Sequence, residues 1–116
     1  MVSQPVRMAA EWSVPRGEMG AINTALQSLM VQTRAAPGCL GCSLSTKLGE
    51  RAGFHYVEEW RTEDDLIHQL RSERFSKLAH LMESAMEHPH IEFALPGGTR
   101  GMEYAETVRK GQREAQ

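Results

Sequence analysis

Between Phe54 and Phe75 the chain reads FHYVEEWRTEDDLIHQLRSERF. Its first part, His55 to Arg61, has the alternation of a strand. The next four residues, Thr62-Glu63-Asp64-Asp65, have the form of a capping box, with acidic side chains where a helix dipole favours negative charge. A strand therefore ends and a helix begins at this point, and Leu66, Ile67 and Leu70 form the helix's buried face. Ser72 caps a second segment in which Phe75, Leu78, Ala79, Met82 and Met86 recur at helical spacing, so the two segments read as one bent helix.

The flanking sequence supplies the other elements. Val6, Met8, Ala10, Trp12 and Val14 alternate with Arg7, Ala9, Glu11 and Ser13, the period of a half-buried strand stopped by Pro15-Arg16-Gly17. Met19, Ile22, Leu26, Leu29 and Met30 at three-and-four spacing predict a helix from about Glu18 to Ala35, ended by Pro37-Gly38. Leu40, Cys42, Leu44 and Thr46 give a second strand, joined to the third as a hairpin across Leu48 to Gly53. After His88-Pro89-His90 come a short strand from Ile91 to Leu95, the turn Pro96-Gly97-Gly98 and a last strand from about Gly101 to Val108. The polar segment 109–116 is expected to fray.

At 116 residues the chain has the length of one domain, with a core from about residue 6 to 109. A net charge of -2 excludes the basic field that nucleic acid or anionic lipid rewards. No apolar run has signal-peptide or transmembrane length, so a soluble, cytoplasmic protein is expected. Cys39 and Cys42 form a C-x-x-C, but they start an alternating run after Pro37-Gly38, and no matching second pair exists for zinc. On a regular strand, positions three apart face opposite sides, so two reduced, buried thiols are expected and no metal site.

Strand, helix, strand, strand, helix, strand is the ferredoxin-like βαββαβ plan, an α+β fold with both helices on one face of an antiparallel sheet. Met8 and Trp12 on one strand, with Tyr56 and Trp60 against Val57 on another, suggest apolar content on both sheet faces. The simplest cover for the second face is another copy of the chain, a homodimer built as a dimeric α/β barrel.

The combination of PGCLGCSL, EEWRTEDDL, LRSERFSKLAHLM and a closing TRGMEYAETVR resembles the antibiotic biosynthesis monooxygenase family of dimeric α/β barrels, from about Val6 to Arg109. The resemblance implies a pocket between sheet and helices where an electron-rich phenol or quinol is oxidised by O2 with no flavin, metal or other cofactor. Such a substrate supplies its own electrons once deprotonated, so an apolar cavity, a base and exclusion of water suffice. Many members carry histidines nine and fourteen residues after the tryptophan; those positions here are Gln69 and Arg74. That departure favours, as an alternative, a non-catalytic dimer that binds a small apolar or aromatic molecule. Haem degradation would need an axial histidine, and the helical phase turns His68 and His80 toward solvent.

Candidate site residues follow. Glu58 shares a strand face with Tyr56 and Trp60, where a carboxylate is either a pocket base of raised pKa or the partner of an arginine. His55, on the opposite face, is an interfacial or pocket-lining candidate for proton transfer. Trp12 and Trp60 are core or dimer anchors, or platforms for an aromatic substrate. Tyr56, Gln69, Arg74 and Phe75 complete the expected substrate-contacting set. His88 and His90 read as partners of helix-end carbonyls.

Overall fold

In the computed structural model, which describes residues 4–49 and 51–114, alternation carries Val6, Met8, Ala10 and Trp12 to the buried side of β1 (Val6–Ser13). A short 3-10 turn, Arg16–Glu18, leads into α1 (Met19–Arg34), which buries Ile22, Leu26, Leu29, Met30 and Thr33. The hairpin of β2 (Cys39–Leu48) and β3 (Ala52–Trp60) follows. Two short helices, α2 (Glu63–Leu70) and α3 (Glu73–Met82), precede β4 (His90–Leu95), β5 (Gly98–Arg100) and α4 (Met102–Glu114). All strand pairs are antiparallel, in the order β2-β3-β1-β4-β5. The ferredoxin-like α+β arrangement is therefore present.

Both expected caps form. The Thr62 hydroxyl accepts from the Asp65 N–H at 3.1 Å, and the Ser72 hydroxyl accepts from the Phe75 N–H at 3.4 Å. Because Ser72 is extended, with ψ of 164°, the helical path is interrupted there and two helices result.

Trp12, Tyr56, Trp60, Met8 and Phe93 all join one buried cluster with residues of the helices. The opposite sheet face bears Arg7, Ala9, Glu11, Ser43, His55, Val57, Glu59, Glu92 and Ala94, as the strand register dictates. It is more polar than the sequence suggested, with Val57 its one buried aliphatic among the described residues.

Two expectations are overturned by local geometry. The register of β2 shifts between Cys39 and Gly41, a bulge that pairs Cys39 with Trp60 and Cys42 with Glu58. Cys39 and Cys42 therefore share the core-facing side although they are three apart, and Leu40 is turned outward, 50% exposed. The second correction concerns the C-terminal region. The last strand spans only Gly98–Arg100, and Met102 to Glu114 is helix where a strand to Val108 and a fraying tail were expected. Tyr104 and Ala105 are buried, Met102 and Val108 pack on the core, and this three-to-four spacing fits a helix face. The Tyr104 ring lies 5.2 Å from that of Phe93, and its hydroxyl donates to Glu63 at 2.6 Å.

Candidate active site

Glu58 stands at the centre of β3 with a fully buried side chain. Period two places Tyr56 and Trp60 on either side of it, and both turn their polar atoms to its carboxylate. The Tyr56 hydroxyl donates to Oε2 at 2.5 Å, and the Trp60 indole N–H donates to Oε1 at 3.0 Å. From α2, Gln69 donates its amide N–H to Oε2 at 3.3 Å, while its Oε1 accepts from Arg74 Nε at 2.8 Å. Behind Tyr56, the Cys42 thiol donates to the phenol oxygen at 3.3 Å. A continuous polar chain thus runs Cys42, Tyr56, Glu58, Gln69, Arg74 through an otherwise apolar core.

Every hydrogen bond at Glu58 points inward, which is the pattern of an ionised carboxylate. Burial opposes that state and raises its pKa from the usual carboxylate value, while the three donors and the Arg74 charge pull it back. Burial likewise raises Tyr56, reinforced by the neighbouring Glu58 charge. Cys42 is pushed up to about 11, again chiefly by burial. The arginine alternative for Glu58 was a partner across the sheet or the dimer interface; within the described residues of one chain, Arg74 reaches the carboxylate through Gln69.

The Arg74 end of this chain opens on a cavity of about 350 Å3, walled by Ala36, Pro37, Trp60, Asp65, His68, Gln69 and Arg74. Three of its walls come from sequence-distant segments brought together by the fold: the α1–β2 turn, the end of β3 and the α2–α3 pair. Gly38 shapes the turn, with φ of 85° and its carbonyl accepting from the Arg61 N–H at 2.8 Å. A Cβ there would stand 2.2 Å from the Asp65 carboxyl carbon, so only glycine lets the turn lie against α2.

Of the candidate residues, Tyr56, Glu58, Trp60, Gln69 and Arg74 lie together in this network. His55 does not. It sits on the opposite sheet face, half-buried, beside a shallow cavity with Arg7, Glu11, His90 and Glu92. Trp12 aligns with Phe54 at the other end of the sheet, six residues from the Val6–Trp60 pair, or about 20 Å along the strands. Its ring packs 5.5 Å from Phe54. Phe75 is buried beneath the Arg109 guanidinium, 5.8 Å from the ring centre, and borders a different cavity. His68 is exposed, as its phase predicted, yet it stands at the mouth of the Trp60 cavity, with Nδ1 3.0 Å from the Asp64 carbonyl. His80 is exposed beside Glu83, and His90 opens β4 near Glu92 rather than binding helix-end carbonyls. Asp65 and Cys42 were not singled out for the site; the capping role of Asp65 was visible, but its contact with Gly38 was not.

Among the described residues, no group of three or more metal-binding side chains is assembled, and no helix is long and apolar enough to cross a membrane. The fold and cavity define a ferredoxin-like α+β protein with a small cavity backed by a buried carboxylate. The chain belongs to the antibiotic biosynthesis monooxygenase family, whose sequence profile matches residues 5–81. No curated protein sequence matches it. Among solved structures it is similar to a conserved protein of Methanosarcina mazei Go1, with a TM-score of 0.70, 22% identity, and coverage of 78% of this chain and 91% of that one. A Pseudomonas aeruginosa protein gives 0.67 at 24% identity, covering 80% and 94%. A crystal structure described as antibiotic biosynthesis monooxygenase gives 0.67 at 17% identity, covering 76% and 94%. At these identities the structural likeness speaks to fold alone.

Proposed function

We propose that this chain binds a small phenol or quinol in the Trp60 cavity and oxidises it with O2 without a cofactor. The observation that carries this reading is the cavity wall of Trp60, Gln69 and Arg74, wired to a buried carboxylate. A volume of about 350 Å3 suits a ligand of one or a few rings. Trp60 offers an aromatic surface, and the Arg74 charge beside a phenol favours its ionised form. Arg74 uses Nε on Gln69; its terminal amino groups bond no other described residue and can meet a phenolate oxygen. Asp65 and His68 are the titratable groups at the cavity that can take the substrate proton. Glu58 is sealed from the cavity, so its part is to fix the amide of Gln69 and thereby Arg74. In the reaction the ring anion passes one electron to O2, the radical pair joins to a hydroperoxide, and loss of one water turns a C–H carbon into a carbonyl.

The test is O2 uptake by metal-depleted protein across a panel of hydroquinones, naphthoquinols and anthrones. Uptake faster than autoxidation in buffer, abolished in Arg74→Ala, is the expected result; uptake no faster than buffer rejects it. A second reading, a dimeric binding module, is favoured by Gln69 and Arg74 standing where many relatives carry histidines. Ligand-dependent thermal stabilisation without O2 uptake selects that reading. Both readings include a homodimer formed through the open sheet face, where Ala9 and Val57 pair across β1 and β3.

A further inference from the structure

Trp60, Tyr56 and Cys42 are three of the oxidisable side chains of the core, and the hydrogen bonds above join them in one line through Glu58. We propose that Trp60, Glu58, Tyr56 and Cys42 form a relay that draws oxidising equivalents away from the cavity into the core. The oxidant is a one-electron species of the peroxyl-radical class, formed when a ring radical escapes its superoxide partner and adds a second O2; this supply rests on the oxygenase reading above.

The geometry fits proton-coupled transfer at each link. Trp60 borders the cavity and is the first to lose an electron, and its indole proton has Glu58 Oε1 at 3.0 Å to receive it. Tyr56 holds its hydroxyl 2.5 Å from the other oxygen of the same carboxylate. The two redox-active rings therefore stand one carboxylate apart and share one proton acceptor. When Tyr56 gives its electron to the Trp60 radical, the first proton returns to the indole and the phenol proton takes its place on Glu58. Cys42, 3.3 Å from the phenol oxygen, then returns a hydrogen atom to the tyrosyl radical by breaking its S–H bond. In sum, a peroxyl radical, the Cys42 thiol and the Glu58 carboxylate become a peroxide anion, a Cys42 thiyl radical and a Glu58 carboxylic acid. Atoms, electrons and charge balance, and the peroxide takes its proton from water in the cavity.

A structural account of these residues does not require this order. A buried carboxylate needs donors, but amide or hydroxyl side chains would serve; here two of the three donors are aromatic rings of low oxidation potential, and a thiol stands behind one of them. The chain has two tryptophans and two tyrosines. The other pair is arranged differently: Trp12 has an indole N–H with no hydrogen-bond partner among the described residues, and Tyr104 lies on α4 against Glu63.

The experiment is flash photolysis of the purified protein with a ruthenium polypyridyl photo-oxidant and a sacrificial electron acceptor, read by transient absorption and electron paramagnetic resonance. The background is Trp12→Phe with Tyr104→Phe, so that indole and phenoxyl signals arise from Trp60 and Tyr56 alone. The expected sequence is an indole radical that decays into a tyrosyl radical, which decays in turn. In Tyr56→Phe the indole radical persists, and in Cys42→Ala the tyrosyl radical accumulates. If either aromatic background variant does not fold, the same comparison is made in the wild-type background. Equal radical lifetimes in parent, Tyr56→Phe and Cys42→Ala proteins overturn the relay. Because the oxidant is supplied by light, this result stands apart from whether any quinol is a substrate.

Discussion

Glu58 accepts three neutral donors and bonds directly to no ionised group among the described residues, so its replacement tests the network without removing an ion pair. Glu58→Gln keeps the shape but presents an N–H to donors, and a loss of about 1–3 kcal/mol is expected for the unsatisfied groups. The pH dependence has a definite sign. A carboxyl whose folded pKa is raised binds more protons folded than unfolded, so its contribution is fullest below the unfolded value and is lost as pH rises through the folded one. Wild-type stability relative to Glu58→Gln therefore falls with rising pH above the ordinary carboxylate range, measured by urea titrations across pH. A rise as pH climbs into the ordinary carboxylate range, with no fall above it, would mean that donors outweigh burial. At Cys42, a pKa near 11 leaves little thiolate at neutral pH, so alkylation at pH 8 is slow in folded protein and fast in denaturant. Rapid modification of Cys42 itself in the folded chain, distinguished from the half-buried Cys39 by peptide mapping, would contradict the burial. The strand half of this site was legible, since period two put Tyr56, Glu58 and Trp60 on one face. Gln69 as the third donor was not, because its approach depends on how α2 docks on the sheet, and the common face of Cys39 and Cys42 depends on a bulge that alternation conceals.

The α2–α3 break owes much of its position to α4. Arg109 donates to the carbonyls of Leu70 at 2.7 Å and Ser72 at 3.4 Å and to the Ser76 hydroxyl at 2.8 Å, while Arg71 donates back to the Val108 carbonyl at 3.3 Å. Three of these anchored residues, Leu70, Arg71 and Ser72, lie within the five-residue step from Gln69 to Arg74, and Ser76 lies just beyond it. Arg109→Ala is expected to cost about 1–3 kcal/mol, from charge-assisted bonds to otherwise orphaned helix-end carbonyls. It should also weaken ligand binding at the Trp60 cavity while Arg109→Lys restores only part of the stability; calorimetry and a binding titration read the two effects. Unchanged stability would show that α4 rests on the surface without holding the break. The caps Thr62 and Ser72 were legible because they are local chemistry. The segment of α4 was read as a strand from about Gly101 to Val108, whereas burial of adjacent Tyr104 and Ala105 against β4 is a tertiary outcome that a strand period cannot express.

At the scale of the molecule, the homodimer proposed above would form through the open face of the sheet. Its central positions, Ala9 and Val57, are small or aliphatic, with Arg7, Glu11, Glu59 and Glu92 around them, a composition that favours close approach of a second sheet at the centre and charge pairing at the rim. Sedimentation velocity should show a dimer, and Ala9→Arg should shift it toward monomer without loss of helical circular dichroism; a monomeric wild type would remove the homodimer. The overall plan was legible because six elements in order limit the topology to few arrangements. The chemical character of the second face was less so, since Val57 was correctly placed on it but the charged neighbours that surround it there, Arg7, Glu11, Glu59 and Glu92, follow from the strand register.

The phenol proton of Tyr56, sealed from water and held 2.5 Å from a carboxylate oxygen, carries a practical consequence. Such a proton exchanges slowly with solvent and resonates far downfield of ordinary hydroxyls, so it gives a single isolated line in a proton NMR spectrum. Its position is expected to follow the charge on Glu58 and, through Gln69, the occupancy of the Trp60 cavity. If that cavity binds a ligand as proposed, the line would report ligand entry on unlabelled protein.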